Sequence, residues 1–324
     1  MPVPIPTQNG PQTRVPTPRE VLGHIRSQVF ELSRTTNVVE AMQEILDDFD
    51  EIQPPGAIVL TAPSGAGKTT ACKQLLYSNP EYWETVDGQQ KLVRPVVFVT
   101  VPRSAKPRDT AARVARSLGI AGYRKMTEKT LTDAIIDAIE AQQVKVIIID
   151  EAHHMNINRV NTADDVRHLF KDISNNVPIC YIFAGIESAE DVVTGDDQLD
   201  SRFSSHLKIE RFSLKSYADL REFRSLIQSI DSNSLLEYSD LDNLEMVARL
   251  FVASKGILRT LLRLVGYGAK YAVEDNSRII LPSHLAKAYE RHGSPSSYDQ
   301  WNPFSVPPAQ LLKSDLLKRT ILVK

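Results

Sequence analysis

A short glycine-rich segment, Ala62–Thr70, constrains the fold of this chain more than any other stretch. It reads Ala-Pro-Ser-Gly-Ala-Gly-Lys-Thr-Thr, follows the apolar run Ala57–Leu60 and precedes the helical pattern Ala71–Tyr77. A strand, a glycine-rich turn and a helix in this order aim backbone N–H groups and a helix N-terminus at one phosphate. The usual pattern begins with glycine where this chain has Ala62, but the Gly-x-Gly-Lys-Thr core is complete. The segment therefore predicts a nucleotide-binding α/β domain.

The residue types in this loop indicate what each member does. The glycines let the backbone turn, Lys68 would reach the β- and γ-phosphates, and the Thr69 hydroxyl would ligate Mg²⁺. We therefore expect ATP and Mg²⁺ as cofactors. The residues expected to contact the nucleotide are Ser64, Gly65, Ala66, Gly67, Lys68, Thr69 and Thr70.

A pair of carboxylates follows a second apolar run. Val146–Ile149 predicts a buried strand, and Asp150 and Glu151 come directly after it. In an open parallel sheet, ligands bind at the carboxyl ends of the strands. We expect Asp150 to hold the Mg²⁺ and Glu151 to orient or activate the attacking water.

Two histidines, His153 and His154, come next and complete a superficial helicase box, Asp-Glu-Ala-His. A helicase reading is disfavoured because only helical patterns follow the predicted sheet. A zinc site is disfavoured too, because adjacent histidines do not easily share one ion and no cysteine cluster is near. A link from the hydrolytic site to the next helix or to DNA, and an ordinary surface role, both stay open.

Two arginines are candidates for contact with the γ-phosphate. Arg202 precedes Phe203 at the entry to a predicted strand, where ring-forming ATPases present an arginine finger to the neighbouring subunit. Arg259 follows Gly256 on the first turn of a later helix and could couple nucleotide state to domain position. The alternatives are a surface salt bridge for Arg202 and a solvated helix-surface arginine for Arg259.

The segment 103–129 is locally basic, although the 324-residue chain has a net charge of only −2. Its cations are Arg103, Lys106, Arg108, Arg113, Arg116, Arg124, Lys125 and Lys129, against Asp109 and Glu128. Lysine and arginine contacts to phosphates give sequence-independent, salt-sensitive binding to DNA. We expect Arg103, Lys106, Arg108 and Lys125 to contact double-stranded DNA; a solvated helix face is the alternative.

Alternating strand and helix patterns up to residue 212 predict a parallel five-stranded sheet flanked by helices, followed by a small all-helical lid domain. The last strand is expected at His206–Phe212. The expected domains are a flexible Pro-rich arm at 1–18, an α/β nucleotide-binding domain with two N-terminal helices at 19–212, a helical lid at 213–293, and a tail at 294–324 that either docks a partner or folds back. Two distant cysteines and the lack of a long apolar run predict a cytoplasmic protein that does not enter a membrane.

These motifs, in this order, resemble those of AAA+ P-loop ATPases, and the layout over residues 20–292 is similar to the TniB/TnsC-type transposition regulators, related in behaviour to the Mu B protein. The resemblance rests on Ala62–Thr70, Ile147–His154, Asp200–Phe203 and Gly256–Arg259. It implies a bacterial ATPase that assembles as a ring or helical filament on double-stranded DNA. It also implies that the protein links a target-selection protein to the transposase, with hydrolysis driving disassembly.

One departure from the family pattern concerns the turnover rate. The fourth strand of the sheet in this family usually ends in glycine followed by a polar residue that senses the γ-phosphate, and here Gly185 is followed by Ile186. We therefore expect slow hydrolysis. Two alternatives remain open at this point: a motor or helicase-loader-type remodelling ATPase, and a secretion-type AAA+ adaptor that does not act on DNA.

Overall fold

A computed structural model describes residues 16–50, 52, 56–103, 106–156, 160–192, 203–293 and 301–320. The expected flexible arm therefore lies almost entirely outside the described residues. Helix α1 (Pro18–Ser27) begins at a capping box, in which Thr17 accepts from the Glu20 backbone N–H and the Glu20 carboxylate accepts from Thr17. The chain divides into two compact units, one made of residues 31–211 and the other of the residues up to Phe30 together with those from Phe212 onward.

The first unit is built on a five-stranded parallel sheet, as the sequence predicts. Its strands lie in the order β4-β5-β6-β1-β7, and every neighbouring pair is parallel. The elements of this unit are α2 (Ser33–Asp47), β1 (Ala57–Thr61), α3 (Lys68–Ser78), β2 (Tyr82–Val86), β3 (Gln89–Val93), β4 (Val96–Thr100), α4 (Pro107–Ser117), α5 (Glu128–Ala141), β5 (Val146–Asp150), α6 (Val160–Asn176), β6 (Cys180–Gly185) and β7 (Phe203–Lys208).

Both faces of this sheet are buried, which explains the continuous apolar strands. Along β5, Ile147 and Ile149 join the core cluster that includes α4, α5 and α6, while Val146 and Ile148 join the cluster that includes α2 and α3. Successive side chains of a strand point to opposite faces, and each fully buried isoleucine contributes about 1.5–3 kcal/mol. The carboxyl ends of β1, β5 and β6 therefore lie side by side at one edge of a rigid sheet.

Two buried thiols belong to the cluster on the α2–α3 side of the sheet. Cys72 on α3 and Cys180 on β6 are both fully enclosed. Burial raises the pKa of both groups, that of Cys180 to about 12. Both side chains are therefore neutral, inert core residues at physiological pH.

The position of the last strand differs from the sequence expectation. It runs over Phe203–Lys208 and pairs with β1, instead of ending at Phe212. Phe212 belongs to the second unit, where its ring lies 5.2 Å from that of Phe223 and its backbone N–H donates to the Gly256 carbonyl. The strand therefore ends at Lys208, and Phe212 packs within the helical unit instead of extending the sheet.

A two-stranded antiparallel hairpin, β2–β3, lies between α3 and β4 along the chain. Its turn contains Asp87 and Gly88 with φ angles of +52° and +78°. An Asp-Gly pair with two positive φ angles is the signature of a tight hairpin turn. All five residues of β2 are exposed, so this hairpin lacks the buried apolar alternation that usually reveals a strand.

The second unit is helical, and α1 belongs to it. Its remaining helices are α7 (Tyr217–Ser232), α8 (Leu244–Ser254), α9 (Leu258–Glu274), α10 (Pro282–His292), α11 (Pro308–Leu311) and α12 (Asp315–Thr320). Val21 and Ile25 of α1 are fully buried, and a Cβ placed on Gly266 of α9 would lie 3.1 Å from Leu22 Cδ1. The missing side chain at Gly266 lets α1 approach α9 closely. Residues 19–30 therefore pack with the helical unit, whereas the sequence assigned them to the nucleotide-binding domain.

The tail folds back on the helical unit over its described residues, 301–320. Phe304 and Leu311 are buried, and the Arg249 guanidinium of α8 donates to the Pro303 carbonyl. The Asn302 amide donates to the Ala286 carbonyl of α10 at 2.9 Å. Of the two readings left open for the tail, these contacts favour folding back. Within the described residues, no helix is long and apolar enough to cross a bilayer.

Candidate nucleotide site

The glycine-rich loop joins β1 to α3 in a conformation that glycine permits. Gly65 and Gly67 have φ angles of +84° and +112°, and α3 begins at Lys68 directly after Gly67. The Ala62 N–H donates to the Gly185 carbonyl at 3.0 Å, which ties the start of the loop to β6. The loop thus presents the N-terminus of an eleven-residue helix at the carboxyl edge of the sheet.

Thr69 and Asp150 meet across this edge. The Thr69 hydroxyl donates to Asp150 Oδ2 at 2.8 Å, and Asp150 is 3% exposed. Mg²⁺ binds oxygen ligands octahedrally at about 2.0–2.1 Å, so two adjacent ligands lie about 2.9 Å apart. The 2.8 Å between the Thr69 hydroxyl oxygen and Asp150 Oδ2 matches that spacing. The residues that the sequence proposed for Mg²⁺ therefore fit the ion.

Glu151 lies beside Asp150 in a strained backbone conformation. Its φ is +60°, uncommon for a residue other than glycine, and its N–H donates to Asp150 Oδ1 at 2.9 Å. Its Oε1 lies 3.9 Å from Lys68 Nζ, and Lys68 is only 6% exposed. Strained residues of this kind cluster at functional sites. The structure thus brings together Lys68, Thr69, Asp150 and Glu151, as the sequence predicts.

The two histidines lie on a tight 3-10 turn, Ala152–Asn156, directly behind Glu151. Their ring centroids are 4.4 Å apart, and His153 Nε2 lies 3.5 Å from Glu151 Oε2. His154 Nδ1 lies 3.1 Å from the Val101 carbonyl oxygen. Burial lowers the pKa of His153, with a further lowering from His154 that Glu151 opposes. His153 therefore favours its neutral form.

The residue after Gly185 does not bring a polar group to the site. Ile186 leads into a 3-10 turn, in which the Ala189 N–H donates to the Ile186 carbonyl at 2.7 Å. A Cβ on Gly185 would lie 2.4 Å from Ala189 Cβ and 3.3 Å from the His153 backbone nitrogen. Gly185 therefore makes room for the histidine turn at the end of β6.

The two arginines proposed to contact the γ-phosphate differ in what the structure says of them. Arg202 lies outside the described residues. Arg259 is exposed on the first turn of α9, after Gly256, whose φ is +66° and whose added Cβ would lie 2.3 Å from the Phe212 carbonyl oxygen. The sharp entry to α9 at Gly256 is thus confirmed. The role of Arg259 toward a nucleotide stays a prediction.

The basic segment is exposed, but one of its arginines has a structural task. Arg103, Lys106 and Lys125 are exposed. Arg108 Nη2 donates to the carbonyl oxygens of Arg124 and Met126 at 3.0 and 3.1 Å. Arg108 therefore fastens α4 to the loop before α5, which its position in the sequence did not indicate.

A concave basic surface lies beside the hydrogen bonds made by Arg108. A cavity of about 240 Å³ is lined by Pro102, Asp109, Ala112, Arg113, Arg116, Tyr123 and Arg124. The pKa of the Tyr123 phenol is lowered, chiefly by a hydrogen bond from Arg124 and further by the charges of Arg116 and Arg113. Sequence reasoning noted these three arginines as locally basic but did not select them as site residues. Arg113 and Arg116 lie three residues apart on α4, and that spacing was the available signal; Arg124 lies beyond the helix, in the turn Tyr123–Lys125.

Comparisons with known proteins give one family and a consistent fold. A family model described as bacterial TniB protein matches residues 23–213. A search of curated protein sequences finds no match. The chain is similar to the ORC2 protein of Aeropyrum pernix in ADPNP–ADP complexes (13% identity, 85% of this chain and 73% of that chain, TM-score 0.62). It is also similar to Cdc6p of Pyrobaculum aerophilum (14%, 85% and 72%, 0.59) and to the Aeropyrum pernix ORC1 protein in complex with DNA (12%, 85% and 69%, 0.59). At these identities the structural likeness establishes the fold alone.

Proposed function

This chain belongs to the bacterial TniB family and has the fold of an AAA+ P-loop ATPase, and from that premise we propose that it is an ATP-dependent regulator of DNA transposition. In this proposal, ATP-bound copies assemble as a ring or helical filament on double-stranded DNA. The assembly links a target-selection protein to the transposase, and slow ATP hydrolysis drives its disassembly.

The observation that carries the proposal is the convergence of four side chains at the sheet edge. Lys68 would bind the β- and γ-phosphates, and Thr69 and Asp150, 2.8 Å apart, would hold Mg²⁺. When bound, Mg²⁺ neutralises charge on the phosphates. Glu151, 3.9 Å from Lys68 Nζ, would orient the attacking water. Ser64, Gly65, Ala66, Gly67 and Thr70 complete the proposed nucleotide contacts.

Two features support DNA as the partner. The Aeropyrum pernix ORC1 protein, a structure of similar fold, was solved in complex with DNA. The exposed cations Arg103, Lys106 and Lys125 lie near the cavity lined by Arg113, Arg116 and Arg124. Repeated around an assembly, a few such contacts per copy would give salt-sensitive binding without base specificity. Arg108 would support this surface through the loop that it holds.

The remaining arginines complete the proposed cycle. Arg202 would act as a finger on the γ-phosphate of a neighbouring copy, and Arg259 would report nucleotide state to the helical unit. Fingers of this kind are worth roughly 10³–10⁵ in rate where measured. Ile186 at the usual sensor position supports slow turnover, which suits a scaffold that must persist until a transposase arrives.

Electron microscopy of the protein mixed with duplex DNA and either ATP or ADP tests the proposal. We expect rings or filaments on DNA with ATP and free particles with ADP. Rapid turnover of many ATP molecules per second, accompanied by strand separation, would instead indicate a remodelling motor. ATP turnover and assembly that are the same with and without DNA would indicate an adaptor that does not act on DNA.

Replacing the loop lysine separates nucleotide-driven assembly from simple charge attraction. Lys68→Ala should abolish ATP-dependent assembly on DNA, because the buried ammonium group is the proposed ligand of the β- and γ-phosphates. Binding of a fluorescent ATP analogue should fall in parallel. Lys73→Ala removes an exposed lysine from the same helix and serves as the matched control. Normal assembly by Lys68→Ala would refute the proposed role of the phosphate loop.

A further inference from the structure

The histidine turn places three metal-ligating side chains in one cluster at the sheet edge. We propose that Glu151, His153 and His154 bind a divalent transition cation of the Zn²⁺, Co²⁺ or Ni²⁺ class, and that the bound cation fastens the Glu151 carboxylate. The site itself is independent of the proposed function. Its consequence, a brake on ATP hydrolysis, rests on the role proposed for Glu151.

The distances within the cluster suit such a cation. One ligand atom from each of the three residues lies within 4.8 Å of the other two. His153 Nε2 and Glu151 Oε2 are 3.5 Å apart, which is longer than a good hydrogen bond. In a tetrahedral site with bonds of about 2.0–2.1 Å, the ligand atoms lie about 3.4 Å from each other. The distance between His153 Nε2 and Glu151 Oε2 therefore already has the required length. The ligand atom of His154 lies at most 4.8 Å from the other two, so each of those distances needs to shorten by no more than about 1.4 Å.

The backbone explains how adjacent histidines come to share one site. In an extended strand, neighbouring side chains point to opposite faces. Here the His154 N–H donates to the Glu151 carbonyl at 2.9 Å, which closes a tight turn. The two rings are consequently 4.4 Å apart and inclined at 49°. The turn therefore brings the two rings close enough to share one ion, although adjacent histidines do not easily do so.

Hydrogen bonding prepares His154 as a ligand. The Val101 carbonyl can only accept, so His154 Nδ1, at 3.1 Å, carries the proton and Nε2 keeps its lone pair. Metal-binding histidines commonly donate their other ring N–H to a backbone carbonyl in this way. His153 Nδ1 is buried and has no hydrogen-bond partner among the described residues. The ring of His153 is therefore not committed to a competing acceptor at that atom.

Neighbouring charges leave one carboxylate oxygen available for the cation. Lys68 Nζ lies 3.9 Å from Glu151 Oε1, whereas His153 faces Oε2. A monodentate carboxylate can therefore contact the cation through Oε2 and Lys68 through Oε1. In that arrangement the carboxylate is held at both oxygens and is less free to orient a water molecule.

Titration of the nucleotide-free, full-length protein with Co²⁺ tests the site directly. We expect one equivalent to bind with the visible absorption of a low-symmetry nitrogen and oxygen site. His153→Asn and His154→Asn should each weaken binding by at least about tenfold. His168→Asn removes an exposed histidine from α6 and should leave binding unchanged.

Two further measurements distinguish loss of a ligand from loss of the fold. Circular dichroism checks that each variant folds, and Glu151→Gln offers a third, independent loss of a ligand. Equal affinity in the wild type and in the folded ligand variants would overturn the proposal. An ultraviolet charge-transfer band from a thiolate would also overturn it, because it would place the cation on Cys72 or Cys180.

The brake is measured separately as ATP turnover with and without Zn²⁺ at fixed Mg²⁺ and ATP. Zn²⁺ should slow the wild type and His168→Asn severalfold more than His153→Asn, since chelation by ATP is the same in every sample. Equal slowing in all three would refute the brake. An absence of turnover in the metal-free wild type would contradict the proposed function, while the Co²⁺ titration would still decide the site.

Discussion

At the scale of single residues, the phosphate loop depends on one backbone conformation at its exit. Gly67 has a φ of +112°, and an added Cβ would lie 3.3 Å from Thr35 Cγ2. Gly67→Ala should therefore lower the free energy of unfolding by about 1–2 kcal/mol and weaken ATP binding. Gly23→Ala is the matched control, because Gly23 lies within helix α1 and an added Cβ there would have no atom within 4 Å. We expect it to stabilise the protein by about 0.5–1 kcal/mol. Thermal unfolding measures the stability of both variants, and binding of a fluorescent ATP analogue measures their nucleotide affinity. Equal effects of Gly67→Ala and Gly23→Ala would contradict the role given to the backbone conformation of Gly67.

The role proposed for Glu151 leads to a second prediction at this scale. Glu151→Gln keeps the size of the side chain but removes the carboxylate that would orient water. ATP binding and assembly on DNA should persist, turnover should fall by about 10²–10⁴, and the assemblies should fail to release DNA. Glu140→Gln, at an exposed position on α5, should behave like the parent. Release of DNA by Glu151→Gln at the parental rate would show that another residue orients the water.

Residue spacing predicts much of the candidate site but not all of it. Lys68, Thr69, Asp150 and Glu151 were recognisable because strand, turn and helix patterns fix the sheet edge where they meet. The hydrogen bonds made by Arg108 could not be recognised from the sequence, because they go to the backbone carbonyl oxygens of Arg124 and Met126, which any sequence would supply. Side chains that bind backbone leave no complementary residue for a sequence pattern to show.

At the scale of secondary-structure elements, apolar periodicity located most helices and the parallel strands. Periodicity did not predict the elements whose structure or packing depends on contacts with distant parts of the chain. Strand β2 is exposed along its whole length and so has no buried alternation. The helical pattern of α1 does not indicate that its apolar face packs on α9. Helix α2 begins at Ser33 without a side-chain cap, so no capping residue marks its start in the sequence.

The start of helix α10 should make the helical unit sensitive to acid. The Leu281 N–H donates to His284 Nδ1 at 3.0 Å, which requires that nitrogen to be unprotonated. Burial lowers the pKa of His284, and Lys287 lowers it further while Asp275 opposes the shift. The unfolded chain therefore takes up the proton first. Stability is fully present above about pH 6.5 and is lost as the pH falls below that value toward the lowered pKa.

Melting temperatures at pH 7.5 and pH 5.5 measure this effect. His284→Gln should be less stable at pH 7.5 but should lose less on acidification than the wild type. His206→Gln changes an exposed histidine on β7 and should follow the wild type. An acid loss in His284→Gln as large as that of the wild type would assign the effect to other groups, such as His292, whose pKa burial also lowers.

At the scale of the whole molecule, the folded tail is part of the helical core. Leu311 is 2% exposed, whereas its neighbour Leu312 is 61% exposed. Leu311→Ala should destabilise the helical unit by about 2–5 kcal/mol, and Leu312→Ala should stay within about 0.5 kcal/mol of the wild type. Calorimetry can resolve the two units if they melt separately. Indifference to Leu311→Ala would indicate a tail that is free to dock elsewhere.

The two enclosed cysteines have a practical consequence for following assembly in solution. Maleimides are attacked by thiolates rather than by thiols, and both native sulfurs are shielded and protonated. The native chain should therefore react little with a thiol-specific dye. A cysteine introduced on an exposed helix would then be labelled selectively. Energy transfer between two such dyes could then count copies joining and leaving a DNA molecule without first rebuilding the interior.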